Sequence, residues 1–157
     1  ILEKAPFSRT MAGIGQYSDM VNPLNFMVFV GAIANDGVRV SPSIVLEKGA
    51  FSRMAHSMGS KRILSAGTAK TLGEMMRNNV ISEYGEKNYS GLELCAKTGT
   101  AEVGKDKRPH SWFVGYMDRE DFPLAFVVVV ENGGSGGKVA GPVAARVLRA
   151  AVKNAVK

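Results

Sequence analysis

Two apolar runs joined by a short polar stretch constrain this chain more than any other feature. SWFVGYM (111–117) and PLAFVVVVE (123–131) lie on either side of DRED. Both runs are rich in aromatic and β-branched residues, which suit a pleated surface, and the polar connection is short, so an antiparallel hairpin is expected. The consecutive valines at 127–130 predict burial on both faces of their strand. LELCAKT, starting at residue 92, reads as a further strand preceding the pair.

Helical signals flank the strands. In NPLNFMVFVGAIAND (22–36), Asn22 suits a cap, Pro23 suits the first helical position, and Gly37 ends the pattern. This segment is apolar nearly all round and is expected to be buried. A second helix is expected from Ser65, a capping residue, to Val80, with Ala69, Leu72, Met76 and Val80 on one face. Pro142 opens a last helix running to Val156. Its expected core stripe is Val143, Val147, Ala151 and Ala155, with Arg146, Arg149, Lys153 and Lys157 facing water. Between these elements, VRVSPSIVLEK reads as two short strands and FSRMAHSMGSKR as an exposed basic loop. SEYGEKNYSG reads as a loop and NGGSGGKVAG as a flexible one. The order is helix, helix, strands, helix, without an internal repeat. It implies an α+β fold, an antiparallel sheet packed with helices, with residues 1–157 belonging to one domain.

Composition narrows the function classes. A chain of 157 residues with 45% hydrophobic content can bury a real core. The net charge of +6 is spread thinly: GKDKR (104–108) and the C-terminal basic stripe are its only clusters, and both read as solvated faces, so no nucleic-acid partner is expected. The single cysteine, Cys95, excludes an internal disulfide and any cysteine-rich metal site, and its flanks Leu94 and Ala96 make it a small buried side chain. The apolar stretch FMVFVGAIA falls far short of the ~20 residues of a membrane span, and no signal peptide is recognisable. Because the sequence starts at Ile1 rather than methionine, it is expected to be processed or cut from something longer.

Most chemical motifs fail on inspection. GIGQYS (13–18) has dinucleotide-fingerprint spacing but ends in Ser18, and no strand precedes it. ENGGSGGKV sits between a strand and a helix, as a P-loop does. However, Asn132 stands where the first glycine is required, and Val139 rather than Ser or Thr follows Lys138. His56 and His110 have no cysteine or carboxylate at ligand spacing, and His110 and Ser111 are adjacent on a strand and so point to opposite faces. Glu120 and Asp121 are turn residues. Neither a cofactor nor a metal is expected. What remains is Lys97-Thr98-Gly99-Thr100. Alternation places Lys97 and Gly99 on one face and Thr98 and Thr100 on the other. A bare Lys-Thr-Gly is most simply an edge strand with a surface lysine and a glycine bulge; its flanks change that reading.

AKTGTAE, followed by SWFVGYM, a turn, PLAFVVVVEN and a terminal helix, resembles the C-terminal part of penicillin-binding D,D-transpeptidases. Upstream, Gly15-Gln16, Pro23-Leu24, Ala34-Asn35-Asp36-Gly37 and Pro42 follow the same family's order. The resemblance covers nearly the whole chain and is weakest from about 44 to 64. The family's motifs are S-x-x-K, Ser-x-Asn and Lys-Thr-Gly, in that order along the chain. No Ser-x-Asn occurs here, and the only S-x-x-K, Ser135 to Lys138, follows Lys-Thr-Gly and lies in a glycine loop. Ser135 is therefore rejected as the nucleophile, and the catalytic serine is expected on chain outside this sequence.

The resemblance implies a fold and a chemistry. The family's sheet has five antiparallel strands, of which this sequence supplies three, leaving the valine-rich strand with one unpaired edge. Pairing through residues 124 to 131 with the upstream half of the protein or with a second copy is expected. The complete enzyme cross-links peptidoglycan stem peptides: a serine attacks the D-Ala-D-Ala amide, D-Ala leaves, and an amine of a second peptide takes the acyl group, while β-lactams trap the serine. Lys97 is implied to supply positive charge near the serine and the substrate carboxylate. The Thr98 and Thr100 hydroxyls are implied to bind that carboxylate, Gly99 to admit the substrate backbone, and the Thr100 N–H to be one of two oxyanion donors. Alone, this portion is expected to be inactive. The implied location is the extracytoplasmic face of the bacterial membrane. A serine β-lactamase or β-lactam sensor, and a catalytically dead binding module of the same fold, remain as alternatives.

Overall fold

The hairpin and its neighbours form as their composition requires. In the computed structural model, which describes residues 6–16, 19–42 and 59–155, three strands make one antiparallel sheet in the order β3-β4-β5. They are β3 (Leu94–Ala101), β4 (His110–Met117) and β5 (Leu124–Val130). Upstream lie helices α1 (Pro6–Ala12) and α2 (Pro23–Ala34), a two-stranded ribbon of β1 (Val38–Arg39) and β2 (Lys61–Arg62), and helix α3 (Ala66–Asn78). Helix α4 (Ala140–Ala155) closes the chain. This is the α+β arrangement expected.

Strand alternation divides the core in two. On one face, Cys95, Val114 and Tyr116 pack with Val30 and Ile33 of α2 and Met76 of α3. On the other, Leu94, Ala96, Phe113, Met117 and Phe126 pack with Ala140, Ala144, Ala145 and Leu148 of α4. Phe113 is fully buried; its ring stacks on Tyr89 at 5.6 Å between centroids and meets the edge of Tyr84 at 5.8 Å. Buried aromatics of this kind dominate core energetics, and truncating one to alanine typically costs about 3–5 kcal/mol.

The caps follow the sequence. The Asn22 side chain accepts from the N–H groups of Leu24 and Asn25, with Pro23 at the helix start. The Ser65 hydroxyl accepts from Thr68 N–H at 3.0 Å. Ala69, Met76 and Val80 are buried as their spacing requires, and Cys95 is buried as expected.

Several expectations need correcting. The core face of α4 is Ala140, Ala144, Ala145 and Leu148, whereas Val143 and Val147 are exposed. At Gly141 a small residue lets the helix sit close over Tyr89, whose ring stacks on Phe113: a Cβ there would lie 2.6 Å from the Tyr89 hydroxyl. Helix α2 is not buried all round; Leu24 and Phe29 are exposed, because only its inner side meets β4 and β5. The valines of β5 are half-buried, since β5 is an outer strand of the sheet. The segment read as a loop after α3 is a wide helical turn, Asn79–Gly85, followed by a 3-10 turn, Glu86–Tyr89. It is held by Val80, Tyr84 and Tyr89 against the core. Lys61 and Arg62, read as part of a basic loop, instead pair with Arg39 and Val38. The rest of that loop through residue 58, including His56, and the second strand read after Val38 lie outside the described residues. Helix α1 was not legible, being short and without a buried residue.

Candidate active site

The site is built on the outer edge of β3. In an antiparallel strand, the N–H and C=O of one residue point the same way and successive residues alternate. Register with β4 puts Thr98 opposite Phe113 and Thr100 opposite Ser111, and leaves the backbone groups of residues 94, 96, 98 and 100 pointing away from the sheet. Side chains meet every one of these carbonyls. Arg77 donates to Leu94 O at 3.3 Å and Asn79 to Ala96 O at 3.4 Å. Lys97 Nζ donates to Thr98 O at 2.8 Å, and Gln16 Nε2 to Thr100 O at 2.8 Å. The Tyr84 hydroxyl accepts from Thr98 N–H at 3.1 Å, and Gln16 Oε1 accepts from Glu102 N–H at 3.3 Å. An open edge is thereby covered without a strand. The Thr100 N–H shares the outward direction of its carbonyl.

Beside this edge is a pocket of about 280 Å³ lined by Gln16, Phe26, Lys97, Gly99, Thr100 and Trp112 among others. Gly99 keeps regular register with Trp112 and forms no bulge. A side chain there would be crowded, since a Cβ would lie 3.0 Å from Trp112 Cβ. The Trp112 ring in turn meets Phe26 edge-on at 6.4 Å. Lys97 is exposed. The threonines face the α4 side: Thr98 Oγ1 lies 3.3 Å from the Tyr84 hydroxyl, and Thr100 Oγ1 accepts from Gly136 N–H at 3.4 Å.

The glycine-rich segment after β5 is a support for this strand rather than a flexible loop. Gly134 and Gly136 are buried, and a Cβ on Gly136 would stand 2.5 Å from the carbonyl oxygens of Gly99 and Trp112. Only glycine allows the loop to press against β3 and β4 at that point. Ser111 is fully buried; its hydroxyl donates to Ser135 O and accepts from Ala140 N–H, both at 3.0 Å. The Ser135 side chain itself is exposed, next to the buried Gly136. His110 Nδ1 accepts from Asn132 N–H at 3.0 Å, which ties it to the loop after β5 rather than to Ser111.

Gln16 is placed by the end of α1. Gly15 has φ +70°, Gln16 N–H donates to Met11 O and Gly15 N–H to Ala12 O, both at 3.0 Å. This is a Schellman cap with glycine in the left-handed position. The Gly-x-Gly pair that mimics a nucleotide fingerprint is therefore a helix stop. The local sequence does not mark Gln16, Tyr84, Asn79 or Arg77 as site residues. No local signal marks a contact between residues 16 and 100.

A Lys-Thr-Gly-Thr strand on the outer edge of an antiparallel sheet, with helices on both faces, is the arrangement of the β-lactamase-like fold class that the motif suggested. More particularly, the chain belongs to the penicillin-binding protein transpeptidase domain family, whose model matches residues 4–149. Among curated relatives, peptidoglycan D,D-transpeptidase PbpA of Mycolicibacterium smegmatis is 32% identical over 157 residues, covering 91% of this chain and 32% of the relative. Its Mycobacterium tuberculosis counterpart is 31% identical with the same coverage. The chain thus spans about a third of the length of these relatives. The solved imipenem acyl-enzyme of M. tuberculosis penicillin-binding protein A matches with a TM-score of 0.70 at 28% identity, over 90% of this chain and 33% of that one. The D,D-transpeptidase domain of an Eggerthella lenta peptidoglycan glycosyltransferase matches with a TM-score of 0.63 at 26% identity, over 83% and 31%. No helix among the described residues is long and apolar enough to cross a membrane.

Proposed function

We propose that this chain supplies one wall of a peptidoglycan D,D-transpeptidase cleft, the wall that holds the stem peptide and half of the oxyanion hole. The observation that carries the reading is the outward-pointing backbone N–H of Thr100 beside the exposed ammonium of Lys97, on an edge where side chains hold the carbonyls of residues 94, 96, 98 and 100 and the Thr98 N–H. The nucleophilic serine comes from an S-x-x-K segment upstream of residue 1. The Thr100 N–H then donates to the oxyanion, a contact worth about 10²- to 10³-fold in rate. Lys97 exchanges its bond to Thr98 O for the substrate carboxylate and the serine site. The Thr100 hydroxyl, accepting from Gly136 N–H, keeps its proton for the same carboxylate, and Thr98 joins it by turning from Tyr84. β-Lactams enter as mimics of D-Ala-D-Ala, at the extracytoplasmic face of the bacterial membrane.

The same reading gives β5 a partner. Its outer edge, residues 124 to 131, pairs with strand from the upstream half or with a second copy, because an unpaired strand of half-buried valines favours association. A monodisperse monomer of residues 1–157 in light scattering counts against this.

Fluorescent penicillin tests the site. The complete domain labels, and Lys97→Ala lowers the labelling rate by about 10²-fold or more, on the scale of a removed transition-state contact. Equal labelling of the variant refutes the assigned role.

A further inference from the structure

The carboxamide of Gln16 occupies β3 as a strand would. Its Nε2 donates to Thr100 O and its Oε1 accepts from Glu102 N–H, across a sequence separation of more than eighty residues. A carboxamide carries the same donor and acceptor as a peptide unit, and its donor takes the Thr100 carbonyl, one of the two edge groups that a docked antiparallel peptide would use. A residue facing Thr100 in an antiparallel pair exchanges both N–H···O bonds with it. Here the Thr100 N–H is open to the pocket while the Thr100 carbonyl is occupied.

We propose that Gln16 is a specificity-determining residue of this edge: its carboxamide stands in for a ligand peptide group, and a ligand seats fully only by giving its own N–H to the Thr100 carbonyl in place of Gln16. This rests on the proposed transpeptidase function. Gln16 is suited to the exchange. Its backbone is fixed by the Schellman cap of α1, so its side chain swings from a rigid point. It is half-exposed at the pocket rim, and both of its edge partners, Thr100 and Glu102, are exposed. The exchange conserves the bond on the Thr100 oxygen for a ligand with an amide N–H at that position, and the Glu102 N–H that Gln16 leaves is exposed and passes to water. A ligand without that N–H leaves Gln16 where it is and uses only the Thr100 N–H. The edge thus distinguishes peptide-like ligands from those that merely present a carbonyl.

The test uses the complete transpeptidase domain with the natural residue, Gln16→Leu and Gln16→Ala. Acylation is followed at several ligand concentrations, to separate the pre-acylation dissociation constant from the limiting acylation rate. Benzylpenicillin, which carries an acylamino side chain, is compared with imipenem, which has a hydroxyethyl group there. In both variants the benzylpenicillin dissociation constant is expected to fall roughly fivefold, the size of one neutral hydrogen bond no longer in competition. Its limiting rate and both imipenem constants are expected to stay unchanged. Thermal unfolding within about 2 °C of the parent shows that the variants fold. Weaker benzylpenicillin binding, no change, or an equal change for both ligands overturns the inference. If the unaltered domain is not acylated at all, the transpeptidase reading fails first, and this one falls with it.

Discussion

Gly136→Ala puts the support under β3 to a direct test. The added Cβ would stand 2.5 Å from both Gly99 O and Trp112 O, and 3.0 Å from Gly99 N. All three are backbone atoms of a hydrogen-bonded ladder, so no side-chain rotation relieves the contact. The loop must retreat, which also stretches the Gly136 N–H bond to Thr100 Oγ1 and the Ser111 bond to Ser135 O. Overpacking of this kind costs about 1–3 kcal/mol and a disturbed hydrogen bond about 1 kcal/mol more. A total of about 3 kcal/mol lowers the unfolding midpoint by roughly 6–12 °C for a protein of this size. Gly137→Ala is the matched control: its Cβ would meet only Thr98 Cγ2, at 3.6 Å, an ordinary contact. It is expected to stay within about 0.5 kcal/mol of the parent. The assay is thermal unfolding followed by far-ultraviolet circular dichroism. Equal midpoints for the two variants would refute the argument that the glycine loop is pressed against the strand.

Three further outcomes follow from the same geometry. Tyr84→Phe strands the Thr98 N–H on the edge and should cost about 1–3 kcal/mol in denaturant unfolding, with benzylpenicillin acylation slowed as the strand loosens. Cys95 is buried, and burial pushes its thiol pKa up, with the Tyr116 hydroxyl bond opposing; alkylation by iodoacetamide under native conditions should be far slower than in urea. Burial also raises the hydroxyl pKa values of Tyr116 and Tyr89. The folded state then holds protons that the unfolded chain releases, so stability is full below about pH 9 and falls as pH rises further, seen as a declining unfolding midpoint. A midpoint that holds or rises in alkali contradicts this.

Much of the fold was legible because it rests on local chemistry. Asn22, Pro23 and Ser65 cap helices through their own side chains, and the runs at 111–117 and 124–130 have few alternatives to a hairpin. What was misread depends on distant partners. Ala144, Ala145 and Leu148 form the inner face of α4 because they meet Phe113 and Phe126 in the core, a distant contact that a local hydrophobic count cannot register. Tyr84 and Tyr89 look like loop residues until Phe113 is placed between them. In the site, Lys97-Thr98-Gly99-Thr100 was readable as a motif. The caps on its edge, from Gln16, Arg77, Asn79 and Tyr84, arise from the meeting of elements that no local pattern encodes. Gly99, read as admitting substrate, also has a neighbour the sequence does not show: Trp112, whose Cβ would lie 3.0 Å from an added Cβ.

On the proposed function, Lys97 and Thr100 serve a serine on another stretch of the same protein. The most direct measurement is mapping of the benzylpenicillin adduct by peptide mass spectrometry, on the complete domain and on residues 1–157 alone. The account predicts one penicilloyl group on an upstream S-x-x-K serine in the complete domain and none on the shorter chain. An adduct on Ser135, in either protein, contradicts it.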